Sequence, residues 1–185
     1  QYIACLDPLG EDRGKTPYAL NPEQYGMFLT ELFNLWYEDW KKGEQPYIRQ
    51  FENYIGILLG YQPESCEQRG SCGIQNVVEA DGSVYPCDFY ALDEYKLGNF
   101  NCNRLEEIDK KRKEIAFVEQ SQIVAENCKN CKFYKICKGG CRRNKDFNAM
   151  NGEYENYFCK SYRIFFDICL ERMIQIVEII KNQKG

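Results

Sequence analysis

The chain has 185 residues, a net charge of −4, eleven cysteines and no histidine. Its length suits one or two small cores, since domains run to ~100–200 residues, and its mild acidic balance gives no reason to expect nucleic acid, whose binders present a basic face. No apolar run nears the ~20 residues of a bilayer span and the N-terminus lacks a signal-peptide pattern, so the expectation is a cytoplasmic protein with no membrane partner.

The chain begins without methionine, and Gln1-Tyr2-Ile3-Ala4-Cys5 reads as the inside of a strand. It is therefore expected to be a fragment whose first residues pair with something outside it. After the Leu6-Asp7-Pro8-Leu9-Gly10 turn and a polar loop, Asn21 and Pro22 supply an N-cap and a first helical residue. Tyr25, Phe28, Leu29, Leu32, Phe33, Trp36 and Trp40 then recur at three- and four-residue steps until Gly43, which predicts a helix with a core-facing stripe. Ile48, Phe51, Ile55, Leu58 and Leu59 predict a shorter helix ending at Gly60.

From Gln62 to Gly73 the periodicity is lost and a loop is expected. Asn76-Val77-Val78-Glu79-Ala80 and Ser83-Val84-Tyr85-Pro86 flank Asp81-Gly82, the signal for a hairpin with a type I′ turn. Asn103 with Glu106 resembles a capping box and predicts a charged surface helix running towards Val118. Residues 127 to 160 are expected to be coil that a metal would organise. Tyr162, Phe165, Phe166, Cys169, Met173, Ile176, Val177 and Ile180 mark a terminal helix of about five turns. The expected class is mixed α+β: a strand, packed helices, a β-hairpin, two cysteine-rich loops and a long C-terminal helix.

Eleven cysteines in a chain of this length, with helices able to build a core, argue against a secreted disulfide scaffold. Without histidine any metal site must be rich in thiolate, which favours zinc or iron–sulfur. The strongest signal is Cys128-x2-Cys131-x5-Cys137-x3-Cys141 followed by Cys159, with Gly139-Gly140 freeing the backbone beside the sulfurs. Cys66, Cys72 and Cys87 lie upstream and bring the number to eight, enough for two four-thiolate sites. Of the remainder, Cys169 falls on an apolar face and reads as a buried hydrophobe, Cys102 reads as incidental, and Cys5, at a strand end beside Leu6-Asp7-Pro8, reads as packing or as the border of a site. Spacing alone leaves zinc open, because four-cysteine zinc ribbons also use two-residue gaps. The basic stretch from Lys129 to Lys145, with Lys132, Lys135, Lys138, Arg142 and Arg143, tilts towards an anionic iron–sulfur cluster, which it would offset.

Cys72-x9-Gly82-x4-Cys87, then Cys128-x2-Cys131-x5-Cys137-x3-Cys141, then Cys159, resembles the cysteine signature of the SPASM domain of radical S-adenosylmethionine (SAM) enzymes. Cys5-Leu6-Asp7-Pro8, Leu35-Trp36-Tyr37-Glu38-Asp39, the segment Asp81 to Tyr90, and Cys137-Lys138-Gly139-Gly140-Cys141-Arg142-Arg143 resemble the anaerobic sulfatase-maturating enzymes in particular. The resemblance implies residues 1–61 as the end of the radical SAM barrel with connecting helices, and 62–185 as a SPASM domain. One auxiliary [4Fe–4S] cluster would take Cys66, Cys72, Cys87 and Cys141, the other Cys128, Cys131, Cys137 and Cys159. Aerobic handling would leave these thiolates to zinc or disulfides.

It further implies oxidation of a cysteine or serine in an unfolded or nascent sulfatase polypeptide to formylglycine, by a monomeric enzyme using SAM at a third [4Fe–4S] cluster. That cluster's Cys-x3-Cys-x2-Cys triplet is absent from these residues, so the fragment alone is not expected to be catalytically competent. Asp88 matches the proposed proton acceptor, and a neighbouring anionic cluster would disfavour its charge and suit it to general base work. Leu6 matches a turn that touches SAM. The alternatives are a radical SAM peptide-modifying enzyme, which also uses SPASM domains, and a non-catalytic zinc module for partner binding.

Overall fold

A computed structural model describes residues 2–44 and 46–183, which divide into two compact units: Gln1–Gly70 with Val124–Gly185, and Ser71–Ile123. Gln1, where the expected opening strand begins, lies outside the described residues.

In the first unit, α1 (Pro22–Lys42) begins where Asn21 accepts the Gln24 amide at 2.8 Å and ends at Gly43 in the left-handed region. The stripe divides as a core-facing helix should. Tyr25, Leu29, Phe33 and Trp36 are buried, Leu32 and Trp40 partly so, and Phe28 lies at the exposed margin. The predicted second helix is α2 (Arg49–Leu58).

The terminal helix runs from Cys159 to Gln183 at 25 residues, about seven turns at 3.6 residues each and longer than the apolar pattern implied. Its face of Tyr162, Phe165, Phe166, Cys169, Met173, Ile176 and Val177 is buried against α1 and α2. Gly26 permits the close approach: a Cβ there would stand 3.0 Å from the Ser161 Cα, and the Ser161 hydroxyl donates to the Pro22 carbonyl at 2.6 Å. Phe33 sits at the aromatic centre, its ring 5.5 Å from Trp36, 5.2 Å from Phe51 and 5.9 Å from Phe165. Among the described residues no helix is long and apolar enough to cross a membrane.

Two expectations for this unit are corrected. Tyr2 to Leu6 is coil rather than strand, because a strand exists only by pairing and among the described residues the segment's backbone bond is that from the Leu20 amide to the Cys5 carbonyl at 3.1 Å. Residues 127 to 160 are not bare coil. They contain the one-turn helices Glu126–Lys129 and Tyr134–Cys137, a 3₁₀ turn at Arg142–Asn144, and an antiparallel hairpin of Lys145–Asn148 with Glu153–Asn156. A further single turn, Cys66–Arg69, lies in the expected upstream loop and stops at Gly70.

The second unit is a three-stranded antiparallel sheet, β1 (Val77–Val78), β2 (Ser83–Tyr85) and β3 (Gly98–Asn99), in that order, followed by helices Leu105–Glu114 and Phe117–Ser121. Val84, Leu97 and Ile108 form its small core. The hairpin is present, but its turn is not type I′. The Gly82 amide donates to the Glu79 carbonyl at 2.9 Å, and of Asp81 and Gly82 only the glycine has positive φ. That makes a three-residue loop closed by a left-handed glycine.

The helix cap also lies one residue later than expected: Glu107 accepts the Arg104 amide at 2.8 Å, while Asn103 accepts the Asn99 amide at 2.9 Å. The helix breaks at Ala116, φ +46, and is not wholly a surface element, because Ile108 and Arg112 are buried and Arg112 donates to Asn76.

Candidate metal centre

Four of the predicted ligands meet on one chamber in the first unit. The Cys131 amide bonds to the Cys128 carbonyl at 3.1 Å and the Tyr134 amide to the Cys131 carbonyl at 2.9 Å, so consecutive turns bring these cysteines round together. Cys137 ends its helix, and Lys138, Gly139 and Gly140 follow with φ of 56°, 82° and 72°, reversing the chain. Cys159 enters from the far side as the first residue of the terminal helix. The four thiols line a cavity of about 520 Å³, with Asn156 and Tyr162 also in its wall. Among the described residues no three Cys, Asp or Glu side chains converge as one ion would require; the sulfurs instead surround a volume.

The electrostatics suit thiolates that acquire their charge with a metal. Burial pushes the Cys137 thiol up to about 12 against an opposing amide hydrogen bond from Gly139, and burial raises Cys128 and Cys159 too. Thiols so placed are poor free nucleophiles, and binding a metal displaces their protons. The amide two residues on donates to the sulfur at Cys137, at Cys141 (from Arg143, 3.4 Å) and at Cys87 (from Phe89). Bonds of this kind favour a thiolate, so the donor set fits an iron–sulfur group.

The basic run divides on inspection. Lys132 pairs with Asp167 at 2.6 Å, and Arg143 is buried and donates to the Asp7 carbonyl, so it braces the turn beside Leu6. The cations that oppose the raised thiols are Lys145 at Cys128, at the end of the predicted stretch, and Arg163 at Cys159, outside it. Arg163 was within reach of helical spacing, lying one turn after Cys159.

The other four ligand candidates are divided between the units. In the first, Cys66 opens its short helix, exposed, and Cys141 is half-buried at the start of the 3₁₀ turn. In the second, the Cys72 amide donates to the Ser121 hydroxyl at 2.8 Å, and burial pushes the Cys87 thiol up to about 12. Asp88 is exposed, and its carboxylate accepts from the Cys87 thiol at 3.1 Å.

Leu6 packs partly on the helical core, on a turn shaped by buried Asp7. Burial alone would raise the Asp7 carboxyl, but bonds from the Thr16 amide and hydroxyl and the Gly14 amide outweigh it and hold it at about 2. Cys169 is buried, as expected, and Cys102 is exposed in its polar loop. Cys5 is exposed rather than packed, because Ala4 and Leu6 on either side take the inward positions.

Residues 66–132 match the family model of the SPASM domain, described as an iron–sulfur cluster-binding domain. Over 181 residues the chain is 45% identical to a cysteine-type anaerobic sulfatase-maturating enzyme of Clostridium perfringens, covering 98% of this chain and 49% of that protein. It is 32% identical to a serine-type enzyme of Bacteroides thetaiotaomicron over 179 residues, 95% of this chain and 42% of that one. A solved structure described as native anSMEcpe with bound AdoMet and Cp18Cys peptide superposes with a TM-score of 0.88 at 43% identity, covering 96% of this chain and 49% of that one.

A thiol-lined chamber within a fold of this kind defines an iron–sulfur cluster-binding protein of the SPASM class. The chain is similar to the anaerobic sulfatase-maturating enzymes, and it spans about half the length of the curated relatives it matches.

Proposed function

We propose that the eight cysteines hold two auxiliary [4Fe–4S] clusters, Cys66, Cys72, Cys87 and Cys141 on one and Cys128, Cys131, Cys137 and Cys159 on the other, within a SPASM domain of residues 62–185 that follows the end of a radical SAM barrel at 1–61. The observation that carries this reading is the single chamber lined by Cys128, Cys131, Cys137 and Cys159 with no competing histidine. Anaerobic iron and sulfide analysis tests it: about eight of each per chain are expected for two four-thiolate cubanes. A colourless protein that binds only zinc under those conditions would overturn it.

The complete enzyme would act in the cytoplasm as a monomer, oxidising a cysteine or serine of an unfolded or nascent sulfatase polypeptide to formylglycine with SAM and a third cluster. When bound, the clusters supply one-electron acceptors. This chain's own part is to fix their thiolates, to present Leu6 on the turn facing SAM, and to hold Asp88 where it takes the proton from the substrate thiol or hydroxyl. The exposure of Asp88 beside a buried ligand candidate supports that last role. Asp88→Asn in the complete enzyme is expected to slow formylglycine formation by ~10²–10⁴-fold, the usual contribution of a positioned base, with cluster content unchanged. Formation at the wild-type rate would remove Asp88 from the chemistry.

A further inference from the structure

A side chain from outside the turn between Cys137 and Cys141, that of Asn156, bonds to it. Asn156 ends the Glu153–Asn156 strand and is 7% exposed, in the wall of the chamber. Its amide nitrogen donates to the Gly139 carbonyl at 3.0 Å, and its oxygen accepts the Phe158 amide at 2.8 Å, both bonds buried. Phe158 immediately precedes Cys159. Gly140 is at φ +72, and a Cβ there would stand 2.2 Å from the Asn156 amide nitrogen, so the turn lies directly against this group.

We infer that Asn156 is a positioning residue for both clusters: it ties the turn carrying Cys137 and Cys141 to the residue that delivers Cys159. The inference rests on the proposed ligand sets, in which Cys137 and Cys159 belong to one cluster and Cys141 to the other. The position calls for a planar group with one donor and one acceptor at this reach. Aspartate keeps the shape but loses the donor and sets a carboxylate against the Gly139 carbonyl and the anionic cluster. Leucine keeps much of the volume but loses both bonds. Glutamine keeps both groups but carries them one methylene further out. Neighbours that orient metal ligands typically matter 10–100-fold to metal retention, and a charge beside a cluster bears on its potential.

The test uses the complete enzyme, purified anaerobically, as wild type, Asn156→Asp, Asn156→Ala and Asn156→Gln. The readouts are iron and sulfide per chain, the rate of iron release to a chelator, the EPR spectra and midpoint potentials of the reduced clusters, and helical circular dichroism. Asn156→Asp is expected to keep the helical signal, release iron ~10–100-fold faster, lower the potential of the cluster in the chamber, and alter both auxiliary signals. Asn156→Ala should release iron faster without the charge-driven fall in potential, and Asn156→Gln should lie nearer the wild type than either.

Unchanged spectra, potentials and release rates in Asn156→Asp and Asn156→Ala would overturn the inference. So would collapse of the helical fold in Asn156→Asp, which would make Asn156 a fold residue rather than a positioning one. A wild-type enzyme lacking auxiliary clusters would instead defeat the proposed function, so the two failures are distinguishable.

Discussion

Cys137→Ala in the complete enzyme is expected to lose about four of the chain's roughly eight irons, one cubane's worth, together with all formylglycine formation. Cys137 is fixed by its surroundings: it ends a helical turn, leans on the aromatic core, and receives the Gly139 amide at its sulfur. Alanine there leaves three thiolates around a chamber of about 520 Å³, with an open corner that no other described cysteine on that wall fills. Cys141→Ala should remove the other cluster's EPR signal, although it lies only four residues on. Cys102→Ala, in an exposed polar loop, should change nothing. If Cys137→Ala kept both auxiliary signals, the assignment of ligands to the chamber would fail. If it lost the cluster but turned over normally, the clusters would be staples rather than electron acceptors.

The second large effect lies in the core. Phe33→Ala is expected to cost about 3–5 kcal/mol, the usual loss for a buried phenylalanine, which is a large part of the ~5–15 kcal/mol that holds a domain folded. Phe33 is 0% exposed and edge-on to Phe51 and Phe165, so its removal opens a cavity where α1, α2 and the terminal helix meet. The stacked guanidinium of Arg172, 5.2 Å from the ring, loses its platform as well. Denaturant unfolding of the holoprotein measures the change against Leu35→Ala on the exposed side of the same helix, where a shift within ~0.5 kcal/mol is expected. A cost below about 1 kcal/mol for Phe33→Ala, the range of a well-tolerated core swap rather than a cavity, would show that the helices close over the gap.

What was legible in the residues had strong local causes. Asn21-Pro22 and Gly43 bracket the first helix because a side-chain acceptor, a proline without an amide hydrogen and a left-handed glycine each suit one terminus only. The apolar period of the terminal helix was long enough to be unambiguous. The one-turn helices at Glu126–Lys129 and Tyr134–Cys137 were not, because four residues cannot express a 3.6-residue period. The hairpin of Lys145–Asn148 with Glu153–Asn156 escaped for a related reason: its strands, Lys-Asp-Phe-Asn and Glu-Tyr-Glu-Asn, carry too little apolar alternation to read as a sheet. The turn after Glu79 and the cap at Arg104 each lie one residue from the expected place: the first is closed by the Gly82 amide on the Glu79 carbonyl, the second by the Glu107 carboxylate, adjacent to Glu106, on the Arg104 amide.

The sequence by itself determined the chemistry: thiolate donors without histidine, in spacings that resemble a SPASM domain, and the two long helices that carry the core. Ligand type and helix propensity are properties of single residues and short periods, so they survive in one dimension. Only the tertiary structure brought Cys159 to the wall shared by Cys128, Cys131 and Cys137, set Arg163 and the last lysine of the basic stretch, Lys145, against those thiols, turned Cys5 outward, and laid Asn156 across the Gly139–Gly140 turn. Those placements depend on how the terminal helix and the Glu153–Asn156 strand pack onto turns well upstream in the chain. Packing of that kind is decided by the shape and burial of the whole core, which no short stretch of residues contains.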